Sequence, residues 1–580
     1  MGFIQPEPPP FDIAEWQQKP FLGRMKPLVQ DWAVNGFGAP GVIYLLYVVK
    51  LIVYVLAAAL IIGATTSGLG GLGDIKDWWF EPIVFQKAVV WTMLWEILGL
   101  GSGSMPLAAR YKPMIGGVLY RLRPGTTRLA PWPDKVPLTG GTRREPIDVA
   151  LYAAVLVILA HLLVSGTAGG RLSEGWIAAL LGLLVVLGLR DKVTFLSARP
   201  EVYGFMLLVS LFPMDNLIVA WQFVFVFIWW GAASSKFNHH FPFVIAVMTS
   251  NTPWNRSKKA KAKMYMDYPD DIRPSPTATH AAHFGTLVEL GLPTLLLLTH
   301  GGPIGTFAVI GMVLFHLNIT STFALGVPLE WNLFMIFGLG FLFGHYGAVP
   351  LSTLDDPLLI VLLASIGVAI PVIGNLRPDL ISFLPSMRYY AGNWATSLWL
   401  FRKDTKAEET LDERACPVAP IVIEQLASMY DREQAAFLMQ KALAFRALHS
   451  HGRALIGLLP RAVEEVDAYH VREGELISGI VNGWNFGDGH FHHKQLIDAV
   501  QELCDFDDGD VRVVFLESQP AHIQRQRYSL YDAASGLIEE GWVDVAEMRR
   551  RGPWLEESWE FPVEVVHGAD RQPEPAPVTP

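Results

Sequence analysis

Seven ionisable residues stand inside, or at the ends of, long apolar runs: Lys50, Glu96, His161, Lys236, His283, Glu289 and His316. At membrane depth such groups are costly unless paired, so each marks a candidate functional site. Plainer roles compete with that reading. Lys50 can snorkel or pair with Glu96, and His161, alone on an apolar stretch, reads as a satisfied core histidine. Lys236 sits where a helix leaves the membrane, a common place for a snorkelling lysine. His283 and Glu289 lie six apart and so do not share a helix face closely. Outside the apolar runs, GWNFGDGHFHH (483–493) puts His490, His492 and His493 in a Gly-rich turn ahead of a helix. A histidine trio is metal-ligand chemistry, and the turn could also present N–H groups to an anion. Spacing fixes no further ligand, so a solvated turn is the simpler reading and no metal site is assigned. No phosphate loop, GxSxG or HExxH motif occurs. Cys416 and Cys504 give neither a disulfide framework nor a zinc site.

Several of these residues fall in ordered segments that resemble one family. Trp221-Gln222, then Trp229-Trp230-Gly231-Ala232-Ala233-Ser234-Ser235-Lys236-Phe237-Asn238, is similar to a helix end of vitamin K-dependent γ-carboxylases. His283-Phe284-Gly285-Thr286-Leu287-Val288-Glu289-Leu290 resembles that family's His-aromatic-Gly-Gly-Leu segment with its acidic residue. Phe315-His316 with Phe323-Ala324-Leu325-Gly326, and Asp191-Lys192 with Tyr203, look like two further family segments. The resemblance covers about 190–345. It places the chain in the wider horizontally transferred transmembrane domain superfamily, within an uncharacterised bacterial transmembrane branch. It implies oxidation of a reduced naphthoquinone, with Lys236 as the base that deprotonates the quinol. His283, Glu289 and His316 would line the cavity, and Trp229, Trp230 and Asn318 would contact the ligand. Ser235, Asn238 and Thr286 depart from the pattern: the family has a second lysine, an acidic residue and a glycine there. The family's lumenal substrate-recognition domain is not visible.

The elements that must position these residues are membrane helices. With 51% hydrophobic and 17% charged residues and a mean hydropathy of +0.31, the chain is too apolar for a soluble protein. At about 20 residues per crossing, spans are expected near 41–66, 84–103, 147–168, 175–190, 202–213, 217–235, 281–299, 304–326, 330–346 and 357–374. The loops 104–146 and 236–280 hold most of the basic residues of 41–400, whereas 67–83 has only Lys76. Ten spans put every basic loop and both termini on one side, which the positive-inside rule makes cytoplasmic. The fold class is thus a polytopic α-helical membrane protein with about ten transmembrane helices and a C-terminal soluble α/β or α+β domain, multi-pass in the plasma membrane.

The domains expected are an N-terminal cytoplasmic segment (1–40), a transmembrane domain (41–400), a soluble domain (401–560) and a Pro-rich disordered tail (561–580). In the soluble part, 421–448 reads as a helix, 475–484 and 511–518 as strands and 492–504 as a helix between them. The net charge of −10 resides mostly there, and no basic nucleic-acid surface is present. Two functions follow. One is a membrane enzyme acting on a quinol or lipid with Lys236 as general base. The other is a non-catalytic transporter or scaffold whose C-terminal domain binds a protein partner.

Overall fold

The computed structural model describes residues 3–101, 117–322, 329–415, 422–427, 430–484, 491–554 and 561–568. In chain order its main helices begin with α1 (Phe21–Asn35), α2 (Gly41–Thr65), α3 (Pro82–Ile97), α4 (Pro146–Val164) and α5 (Glu174–Arg190). There follow α6 (Met214–Ser235), α7 (Phe241–Asn251), α8 (Pro276–Thr299), α9 (Gly302–Thr322), α10 (Leu329–Gly338) and α11 (Pro357–Leu376). Among the described residues, six of them, α2, α4, α6, α8, α9 and α11, are long and apolar enough to cross a membrane.

Helix length and composition do not support the expected count of about ten crossings. α3 has 16 residues and α5 has 17. The segments expected at 202–213 and 330–346 form Pro200–Val209 and Leu329–His345, also short. Thirty ångströms of hydrocarbon need about 20 residues at 1.5 Å each. Apolarity alone does not separate a lipid-facing helix from one buried in protein. Ile83, Phe85, Val89, Val90 and Met93 of α3 are almost fully buried by other helices. A helix enclosed by protein is apolar all round, so its hydropathy matches that of a lipid-facing one. α2 and α9, by contrast, turn large apolar side chains such as Leu56 and Phe307 outward.

The remaining elements build a second layer. A hairpin of β1 (Tyr265–Asp267) and β2 (Asp271–Pro274) precedes α8. The C-terminal part holds β3 (Thr396–Arg402), β4 (Tyr469–Glu473), β5 (Val511–Leu516), β6 (Arg525–Asp532), β7 (Gly536–Asp544) and β8 (Val563–Gly568), in an antiparallel sheet of order β4-β3-β5-β6-β7-β8. Its helices include α12 (Arg432–Leu448), α13 (Gly474–Asn482) and α14 (Lys494–Cys504). The expected strand at 475–484 is helix α13: Ile477, Ile480 and Val481 fall on one buried helical face, and the Glu473 carboxylate caps its first turn. The expected single helix over 421–448 is two, because the Asp431 side chain caps a new start at α12. Val563–Gly568, assigned from the sequence to the tail, forms the edge strand β8. The boundary at 401 falls inside β3, which pairs on both sides.

Segments far apart in sequence meet against this sheet. A short helix, Ile13–Gln17, and α1 pack on α12, with the Trp16 and Phe437 rings edge-on at 5.6 Å. The Phe21 amide donates to Asp467, 446 residues away. The His240 ring lies between Ser450 Oγ (2.6 Å) and Gln519 Oε1 (2.7 Å), and Gln495 of α14 donates to the Ala130 carbonyl (3.0 Å). Segments of both basic loops and of both terminal regions thus gather at one end of the molecule.

Candidate functional site

The end of α6 sets the site. Ser235 Oγ donates to the Ala232 carbonyl (2.8 Å), and the Asn238 amide donates to the carbonyls of Ser235 (2.6 Å) and Ala391 (3.0 Å). The Asn238 side-chain oxygen then accepts from the amides of His240 (2.7 Å) and Phe241 (3.0 Å), opening α7. Ser235 and Asn238, two departures from the carboxylase pattern, therefore act as turn builders. Thr286 Oγ1 likewise donates within its helix, to the Ala282 carbonyl (3.0 Å). The turn leaves Lys236 pointing back into the helix bundle, where its ammonium forms an ion pair with Glu289 of α8. Both side chains are buried, 7% and 6% exposed, and the Lys236 Nζ also sits 5.3 Å over the Phe241 ring.

This pair lines a cavity of about 670 Å³ between α6, α7, α8, α9 and α10. Its walls are mostly apolar: Ile228, Ala232, Ile245, Met248, Val288, Leu292, Leu314 and Phe315. Phe284, Leu314 and Trp254 line the cavity and are also strongly exposed, so the cavity is continuous with the apolar outer surface of α8 and α9.

On the wall, Trp229 Nε1 donates to His316 Nε2 (3.0 Å), and His316 Nδ1 faces Asn332 Oδ1 at 2.7 Å. An indole nitrogen only donates and an amide oxygen only accepts, so His316 carries its proton on Nδ1. Both ring nitrogens are thereby engaged, and the imidazole orients Trp229. At the far wall, Arg199 pairs with Glu201 (2.7 Å) and lies 4.4 Å over the Trp331 ring. The Tyr389 hydroxyl donates to the same Glu201 oxygen (3.1 Å). Burial, reinforced by Glu201, holds the Tyr389 phenol well above its ordinary range, and burial with Glu475 does the same for Tyr390. Both phenols are neutral hydrogen-bonding groups facing the cavity.

Of the residues singled out from sequence, Lys236, Glu289, His316, Trp229 and Asn318 line this one cavity. His283 faces outward on the exposed side of α8, and Trp230 donates to Thr294 Oγ1 (3.1 Å) away from it. Asp191, Lys192 and Tyr203 do not line it: Asp191 caps the helix Lys192–Ser197, and Lys192 donates to Gln495 (2.6 Å). Lys50 pairs with Glu330 (2.8 Å), not with Glu96. His161 is exposed against Trp176 (4.7 Å), not a core histidine. His490 and 323–326 lie outside the described residues. His492 is buried and His493 caps α14. Among the described residues no group of three His, Cys, Asp or Glu is placed to hold a metal ion.

Arg199, Trp331, Asn332, Tyr389 and Tyr390 were not singled out as site residues by sequence reasoning. The available signals were the close Arg199 and Glu201 charges beside an apolar run, and the aromatic RYYAGNW segment at 388–394.

A family model described as transmembrane protein of unknown function (DUF3556) matches residues 1–566. No curated protein and no solved structure matches the chain.

Proposed function

The chain belongs to this family of transmembrane proteins, and we propose that it takes an amphipathic molecule of the bilayer, of the quinol or lipid class, into the cavity at Lys236. The observation that carries this reading is the combination at one place: apolar walls open to the lipid-facing surface and, inside them, a buried Lys236–Glu289 pair. Pockets that bind small molecules join apolar lining to a few convergent polar groups in this way. A buried ion pair is seldom a net gain in stability over apolar residues, which favours a functional reason for keeping it.

Within the site, the pair provides the acid–base element. Loss of the Lys236 proton to Glu289 leaves a neutral amine and a neutral acid, and the amine can then accept a ligand hydroxyl proton. Trp229, held by His316, provides a rigid aromatic wall. The resemblance to γ-carboxylases makes a reduced naphthoquinone the first ligand to try.

The test is the molecule that accompanies the protein. Full-length chain extracted from its own membranes should carry a stoichiometric quinone or lipid. Gly285 lines the cavity and a Cβ added there meets no atom within 4 Å, so Gly285→Phe should place a ring in the ligand's space and strip that molecule away. Equal retention by Gly285→Phe would show that the cavity is not the site. Lys236→Arg distinguishes chemistry from charge: guanidinium preserves the pair but cannot act as base, so turnover should stop while binding persists.

A further inference from the structure

The segment that closes one edge of the cavity also carries free cations, and together they narrow the ligand. Thr252, Trp254 and Asn255 line the cavity, and Trp254 is fixed to the C-terminal turn of α9 by a 2.9 Å hydrogen bond to Ser321. Trp254 is nonetheless 66% exposed, as an indole at a membrane–water interface is. The chain then enters the one-turn helix Lys258–Ala262, whose Lys261 is consumed by the Ser250 carbonyl (2.6 Å). Lys258 and Lys259 are exposed and have no carboxylate partner among the described residues. Both line a second cleft of about 540 Å³, alongside Phe11, Gln30 and Tyr268. The carboxylate there, Asp31, is already paired with Lys441 (2.9 Å), so it does not cancel the two ammoniums.

One continuous stretch, 252–259, thus borders an apolar cavity on one side and a cationic cleft on the other. We propose that the ligand is an anionic amphipath, its apolar part in the cavity and its negatively charged head, of phosphate type, on Lys258 and Lys259. This rests on the reading of the cavity as a bilayer-ligand site and deepens it. The order of groups matches the order of a lipid at an interface: apolar chain, aromatic belt, then cations at the headgroup level.

The experiment uses the full-length protein in nanodiscs with equal amounts of phosphatidylglycerol and phosphatidylcholine, with retained lipid read by native mass spectrometry. Phosphatidylglycerol should be retained preferentially. Lys258→Gln with Lys259→Gln should cut that preference by about twenty-five-fold, from two basic contacts at roughly fivefold each. Gly285→Phe should lose both lipids. Equal retention of the two lipids by the unaltered protein, with loss of both in Gly285→Phe, overturns the headgroup assignment but leaves the cavity as a lipid site. Retention unaffected by Gly285→Phe overturns the cavity reading itself. Competition by inorganic phosphate that removes phosphatidylglycerol and restores equal retention identifies the cleft as a free-phosphate site and also overturns the proposal. If the double variant elutes as aggregate, Lys259→Gln alone should still lower the preference about fivefold, and an unchanged ratio overturns the assignment.

Discussion

Removing one member of the Lys236–Glu289 pair should cost far more than removing both. In Glu289→Gln the ammonium of Lys236 stays buried, with the Phe241 ring at 5.3 Å as its remaining favourable contact. Breaking a buried pair this way costs about 3–5 kcal/mol, and a cation–π contact returns only about 1–2 kcal/mol when desolvated. Gln also keeps the shape of Glu, so cavity effects are small. Lys236→Met leaves the opposite charge stranded, but that carboxyl can take up a proton from solvent and so escapes more of the penalty. The double variant Lys236→Met with Glu289→Gln replaces the pair by groups of similar volume and should lie within about 1–2 kcal/mol of the parent. Unfolding of the full chain in detergent, followed by tryptophan fluorescence against denaturant, reads these differences. Trp229 lines the site and reports its opening. The reasoning fails if Glu289→Gln costs under about 1 kcal/mol, the value of an exposed pair, or if the double variant is as unstable as the sum of the singles.

The His240 junction should make stability fall with acid. Burial lowers the His240 pKa to about 4, so the folded protein refuses a proton that the unfolded chain accepts from about pH 6.5 down. Its contribution is complete above that pH and is lost as pH falls towards 4, at most about 3 kcal/mol. His240→Gln should flatten the slope of the thermal midpoint between neutral pH and pH 5. Cysteines placed at the exposed Lys135 or Leu138 should resist an impermeant reagent in intact cells and react after permeabilisation; labelling from outside would reverse the orientation. A fragment covering 405–560 should aggregate, because it lacks β3, the strand that joins β4 to β5. Soluble, cooperative unfolding of that fragment would show that the sheet can close without it.

The residue types that converge at the site were legible before the fold, and their neighbours much less so. Lys236, Glu289 and His316 stood out because charge and imidazole are rare in apolar runs. Their meeting across α6, α8 and α9 is a long-range fact that local spacing does not contain. Arg199 and Tyr389 were hidden for the opposite reason: arginine and tyrosine at the ends of apolar segments are ordinary in sequence, and only burial makes them unusual. Hydropathy does not separate a long lipid-facing helix from a shorter one surrounded by protein, as α3 is. The α13 segment was misread because Ile and Val favour strands while their spacing fits a helix. α14 and β5 needed no tertiary information beyond periodicity and alternation.

The N-terminal helices have a consequence in time. Their partners on α12 and around Asp467 are translated some 446 residues later. At about 5–20 residues per second, Trp16 and Phe21 wait roughly 20–90 s on the ribosome-bound chain before α12 and the Asp467 segment can reach them. During that interval all six long apolar helices are being delivered to the bilayer, with the N-terminal segment tethered beside them. The first part of the protein to be made is thus among the last to complete its contacts, and α1 then packs on both α7 and α12.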